Sequence, residues 1–139
     1  MELLEEIKRK KTYLNQYQNA VKREKKIIDE INRIRMDRSF LSNFFDSMAC
    51  GTDIKDLSDY IVLLDAEINK LKLERLEKIK RYRDIETRIK DICNEDEQET
   101  LRLYYITGLT WEKVADEMGF TCRHIMRIHN AALKNLKLS

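Results

Sequence analysis

Proline is absent from these 139 residues, and glycine and cysteine occur only three times each. Without proline nothing breaks a helix from within, and with so little glycine few sharp turns can be built. Hairpin-rich sheets and loop-rich folds are thereby disfavoured, and long helices are expected. No stretch approaches the roughly 18 consecutive apolar residues of a membrane span. The opening Met1-Glu2-Leu3-Leu4-Glu5-Glu6 lacks the basic start and apolar run of a secretory signal. Cys50, Cys93 and Cys122 are odd in number and widely spaced, a pattern of reduced thiols rather than of a disulfide framework. A cytoplasmic protein is the expectation.

Charge, by contrast, is abundant: 37% of residues are charged, although the net charge is only +2. Its distribution says more than its sum. Residues 101–139 carry six Lys/Arg against three Asp/Glu, whereas residues 91–99 hold five acids and no Lys or Arg. A basic segment following an acidic one suits an anion-binding head on a body that does not itself collapse onto phosphates.

The first two thirds of the chain show heptad spacing. Ile7, Leu14, Val21 and Ile28 form one column, and Leu3, Tyr17 and Ile31 a second, interrupted by Lys10 and Glu24. Leu57, Ile61, Leu64, Ile68 and Leu71 repeat the scheme, followed by Tyr82, Ile85, Ile89 and Ile92. Arg75 and Lys78 break that run, and Leu76 and Ile79 suggest a local shift of register. Both segments read as amphipathic helices of coiled-coil character, each about 50–58 Å long. Neither is stable with its stripe exposed. Gly51-Thr52-Asp53 supplies a turn and candidate N-caps, so residues 1–92 are expected to form an antiparallel hairpin turning at about 46–53, with two helices that pair only between chains as the alternative. A two-helix hairpin buries little surface, and homo-oligomerisation, most simply as a dimer, is expected in addition. Near the tip, Phe40, Phe44 and Phe45 form an apolar cluster that either caps the hairpin or docks a partner.

Residues 93–139 read as a separate helix-turn-helix domain. Within Thr110–Leu136, Val114 and Ala115 are the apolar and small residues where two short helices meet. Gly119 falls at the turn, where φ is positive. Met118, Phe120, Ile125 and Ile128 fill the remaining core positions, and Thr110 and Thr121 stand at N-caps. At 100° per residue, Ile125, Ile128, Ala132 and Leu136 lie within about 80° of one another. Arg123, Arg127, Asn130 and Lys134 lie opposite, and no carboxylate follows Glu117.

Arginine forks match the guanine edge, and asparagine the adenine edge, in the major groove of duplex DNA. Cys122, Arg123, Met126, Arg127 and Asn130 are therefore the expected base-edge residues. Thr121, Lys134, Lys137 and Lys113 are the expected backbone contacts. A solvated basic face on a final helix is the alternative.

Other constellations carry less. His124 points away from Cys122 and His129, which themselves sit about 10 Å apart along the helix, too far for one zinc ion. No metal site, cofactor or catalytic arrangement is expected. His129 is expected to flank the core, and His124 to be exposed. Tyr104, Tyr105 and Trp111 suit a small trihelical core with one tyrosine exposed. Asp91–Glu99 reads as a helix boundary with a solvated face.

From Glu99 to Leu136 the chain resembles the C-terminal domain of sigma-70 family factors. The residues that carry the likeness are Leu101-Arg102-Leu103-Tyr104-Tyr105-Ile106-Thr107-Gly108-Leu109-Thr110-Trp111-Glu112-Lys113-Val114-Ala115, then Met118-Gly119-Phe120-Thr121, then Ile125, Ile128, Ala132, Leu133 and Leu136. That resemblance implies a domain reading the promoter −35 element, with Arg123, Met126 and Arg127 at base edges and Thr121 and Lys134 at the backbone. Charge is more usual where Cys122 and Met126 stand. Nothing in residues 1–92 resembles the sigma domain that opens the −10 element, so a complete initiation factor is not implied. The whole chain also resembles small regulators of phages and prophages, of the ArpU and RinA types.

The expectation is an all-α protein, a helical hairpin followed by a three-helix, sigma-like helix-turn-helix domain. It would act without enzymatic activity as a sequence-specific regulator of transcription on double-stranded DNA, with RNA polymerase a further candidate partner and no membrane association. Two readings stand beside it: a small-terminase-like packaging subunit, and an interaction protein that docks on polymerase or a sigma factor without touching DNA.

Overall fold

A computed structural model describes residues 2–36 and 54–138. The expected turn at 46–53, the Phe40, Phe44 and Phe45 cluster and Cys50 lie outside the described residues. The architecture is all-α: α1 (Glu2–Met36), α2 (Ile54–Lys90), α3 (Glu95–Leu101), a π-helical turn (Arg102–Ile106), α4 (Trp111–Met118) and α5 (Cys122–Asn135). No strand occurs among the described residues. No helix among them is long and apolar enough to cross a membrane.

Helices α1 and α2 pair antiparallel, Tyr13 meeting Asp84, Tyr17 meeting Tyr82 and Arg23 meeting Glu74. Both carry basic residues in their last turns, Arg33 and Arg35 on α1 and Arg88 and Lys90 on α2, where cations oppose the negative end of the helix dipole. The chain divides into two compact units, one formed by residues 21–77 and the other by residues 1–20 with 78–139.

In the unit of residues 21–77 the seam takes in the expected apolar residues among those described, Ile61 excepted. Ile31 is buried, and Val21, Ile28, Leu64, Ile68 and Leu71 are partly buried. Charge then takes over the seam: Arg23 Nε lies 3.1 Å from Glu74, and Arg75 Nε lies 3.7 Å from the largely covered Glu24. The helix keeps its register through this stretch. The shift suggested by Leu76 and Ile79 does not occur, and Ile61, Leu76 and Ile79 are all exposed. A rotation burying Leu76 would carry Glu74 out of reach of Arg23, and it would turn the neighbouring apolar layers out of the seam.

The other unit has two apolar clusters. The larger joins Leu14, Ile85 and Ile89 from the long helices, and Ile92 from the turn after α2, to Leu101, Tyr105, Ala132, Leu133 and Leu136. The smaller is built on Val114, Ala115 and Ile125, with Leu103, Leu109, Met118, Phe120 and Ile128 packed against it. Lys10, which interrupts the apolar column in sequence, is buried here, and its ammonium donates to the Leu133 carbonyl at 2.8 Å. In this unit Leu3 and Tyr82 stand exposed although heptad spacing assigned them to columns, Tyr82 tilting its ring against Tyr17.

Candidate nucleic-acid interface

Each element around α5 is set by local chemistry. Asn94 caps α3, its side-chain oxygen accepting from the backbone N–H groups of Asp96 and Glu97 at 2.9 and 3.2 Å. Three acids in the first turn, Glu95, Asp96 and Glu97, complement the positive end of that helix. The stretch is a helix boundary, but not all of its acids are solvated. Glu97 is buried and accepts from Asn135 Nδ2 at 2.8 Å, because α3 packs directly on α5 and desolvates the carboxylate that ties them together.

The π-helical turn follows, closed by Thr107 N–H donating to the Arg102 carbonyl at 2.9 Å. Gly108 at φ 81° then reverses the chain while Leu109 N–H returns to the Leu103 carbonyl, a left-handed helix ending. These turns bring Tyr104 and Tyr105 beside α4 and α5. Tyr104 stacks on Trp111 with centroids 3.7 Å apart and remains partly exposed, whereas Tyr105 is buried with its hydroxyl 2.8 Å from His129 Nε2. Trp111 meets the His129 ring edge-on at 4.6 Å. Enclosure depresses the His129 pKa to about 4, because burial disfavours the imidazolium and Lys11 adds repulsion. The same enclosure raises the Tyr105 pKa. His129 is thus a core residue, neutral at pH 7 and unsuited to anion binding.

The helix-turn-helix has the expected chemistry. Thr110 Oγ1 accepts from Lys113 N–H and caps α4; Thr121 Oγ1 accepts from His124 N–H at 3.2 Å and caps α5. Gly119 joins them at φ 72°. Of the six core residues, Val114, Ala115 and Ile125 are buried, while Met118, Phe120 and Ile128 pack around them.

Arg123, Arg127, Asn130 and Lys134 lie on the face opposite Ile125, Ala132 and Leu133, and all four are exposed. Thr121, Cys122, Met126, Lys113 and Lys137 are exposed too. Among the described residues, no carboxylate pairs with Arg123, Arg127, Lys134 or Lys137. An unpaired cationic helix face is available to an anionic ligand at no cost in broken ion pairs. Cys122 and Cys93 are exposed free thiols, and no group of three metal-ligating side chains gathers among the described residues.

The residues that aim α5 were the ones sequence reasoning did not assign. Lys10 from α1 binds the Leu133 carbonyl, and Arg88 from α2 donates to the Lys137 carbonyl at 2.9 Å. Leu133 is among the last carbonyls of α5, which lack intrahelical donors, and cations suit that negative end; Lys137 lies two residues beyond the helix, on the segment that leaves it. A lysine interrupting an otherwise apolar column was the available signal.

These features define the class: a helix-turn-helix whose second helix presents a cationic face. Residues 94–138 match the family model Sigma-70, region 4, a DNA-binding helix-turn-helix module and not an enzymatic family. Both long helices lie outside the match. No curated protein and no solved structure matches the chain.

Proposed function

We propose that the protein is a sequence-specific regulator of transcription on duplex DNA, acting on phage or prophage promoters. In this reading α5 enters the major groove, with Cys122, Arg123, Met126, Arg127 and Asn130 at base edges. Thr121, Lys134, Lys137 and Lys113 hold the phosphates. The observation that carries the reading is the exposed, acid-free face of Arg123, Arg127, Asn130 and Lys134 on a helix fixed at both ends. Fixation matters because a side chain reads a base edge only if its helix does not turn. RNA polymerase is a second partner consistent with a sigma-like module, and a dimer would read two half-sites.

Selection of bound duplexes from a random library at two salt concentrations tests this. An enriched motif is expected, with affinity falling steeply between the two salts as counterions are released. Arg127→Ala should cost about 1–3 kcal/mol of specific binding and relax one base position. No motif, together with salt-insensitive capture of polymerase, would replace this reading with one of protein docking.

A further inference from the structure

A second apolar column runs along α2 on the side away from α1. Val62, Ala66, Asn69, Leu73 and Leu76 follow at alternating steps of four and three, which places them within about 80° of one another around the helix. All five are exposed, Val62 by 64%, Leu73 by 68% and Leu76 by 57%. Leu64, Ile68, Leu71 and Glu74, facing α1, are partly buried. The helix therefore has one seam in use and another without a partner.

The step pattern says what would cover it. Steps of three and four assign Ala66 and Leu73 to the a positions of a heptad, and Val62, Asn69 and Leu76 to d. Asp65 and Lys72 then take g, while Lys70 and Glu77 take e. In a parallel, in-register pair each g residue faces the e residue five positions on in the other helix. Asp65 would meet Lys70, twice by symmetry. The antiparallel register that sets Val62 against Leu73 pairs Asp65 with Lys72 but puts Lys70 against Leu63 and Asn69 against Ala66, and the next register puts Lys70 against its own symmetry mate. Asn69 would face Asn69, where two amides can bond each other; a slipped register would leave both unsatisfied. Lys70, itself exposed, now reaches the largely covered Glu67 at 3.0 Å on its own helix, a contact that the pairing with Asp65 would replace.

We propose that the Val62–Leu76 column of α2 is a homodimer interface, receiving the same column of a second copy in parallel register. This does not depend on the DNA reading. Parallel pairing also points the C-terminal ends of the two α2 helices the same way.

Sedimentation equilibrium of the full chain tests the proposal. Wild type is expected to dimerise, and Leu73→Glu with Leu76→Glu should raise the dissociation constant at least about 100-fold. Helical circular dichroism should persist, since both leucines are exposed. Asp65→Lys should weaken the dimer, and adding Lys70→Glu should restore it, a rescue that needs no change in folding. With the three native cysteines replaced by serine, Asn69→Cys should cross-link on oxidation. A monomeric wild type, a dimer indifferent to the double glutamate, or absence of the charge rescue would overturn the proposal. Cross-linking of Val62→Cys to Leu73→Cys in place of Asn69→Cys would overturn the parallel register.

Discussion

Gly119 has φ 72°, and a Cβ there would meet nothing within 4 Å. Its requirement is therefore one of backbone alone. Gly119→Val should destabilise the unit by about 1–2 kcal/mol, and Gly119→Asn by less, because asparagine tolerates the left-handed region; thermal melts of the two variants check the order. Gly108 differs, since a Cβ at φ 81° would also press on the Gln18 amide at 3.2 Å. His129 imposes a pH dependence instead. It titrates near 4 when folded and near 6.5 when unfolded, so the unfolded chain takes up the proton first as pH falls. Stability present above pH 6.5 is then lost toward pH 4, by up to about 3 kcal/mol. His129→Phe keeps a ring in the cluster and should flatten this part of the melting-temperature profile between pH 7 and 5. The turn glycine was legible in sequence because its signal is local. The depth of His129 was legible only as nearness to a core, because its enclosure depends on Tyr105 and Trp111 arriving from other elements.

Among the elements, α5 depends most on residues distant in sequence. Its N-terminus is closed by Thr121, a neighbour, whereas its C-terminus is closed by Lys10, 123 positions away. Lys10→Met preserves length and apolar stem but leaves the buried Leu133 carbonyl without its donor. The expected cost is about 1–3 kcal/mol, read as a lower melting temperature and faster amide exchange in the last turn of α5. Unchanged exchange there would mean that Arg88 and Asn135 alone hold the helix end. Helices α4 and α5 could be placed from sequence because caps, turn glycine and apolar period agree over one short stretch. Helix α2 was placed equally well, but the facing of Ile61, Leu76 and Ile79 was not. Apolar spacing is ambiguous where two columns share one helix, and the ion pairs between Arg23, Glu24, Glu74 and Arg75 resolve it in space.

At the scale of the molecule, the larger cluster beside the helix-turn-helix is completed by Leu14, Ile85, Ile89 and Ile92. A fragment of residues 93–139 lacks these four side chains, and each buried aliphatic is worth roughly 1.5–3 kcal/mol. Such a fragment should melt far below the full chain, with a broad transition, and should bind DNA more weakly; a sharp melt at the full-chain temperature would show that the long helices are dispensable to the fold. The sequence by itself determined the all-α class, the two long helices and the position of the helix-turn-helix. Those depend on proline and glycine content, heptad spacing and caps, which act between residues close along the chain. The cationic face of α5 was readable for the same reason, since a helix converts spacing into direction. Only the tertiary structure decided that Lys10 and Arg88 aim that helix, that Glu97 turns inward, and that α2 keeps a second column uncovered. Each of these depends on which surfaces remain after distant segments have packed, and no local period encodes that.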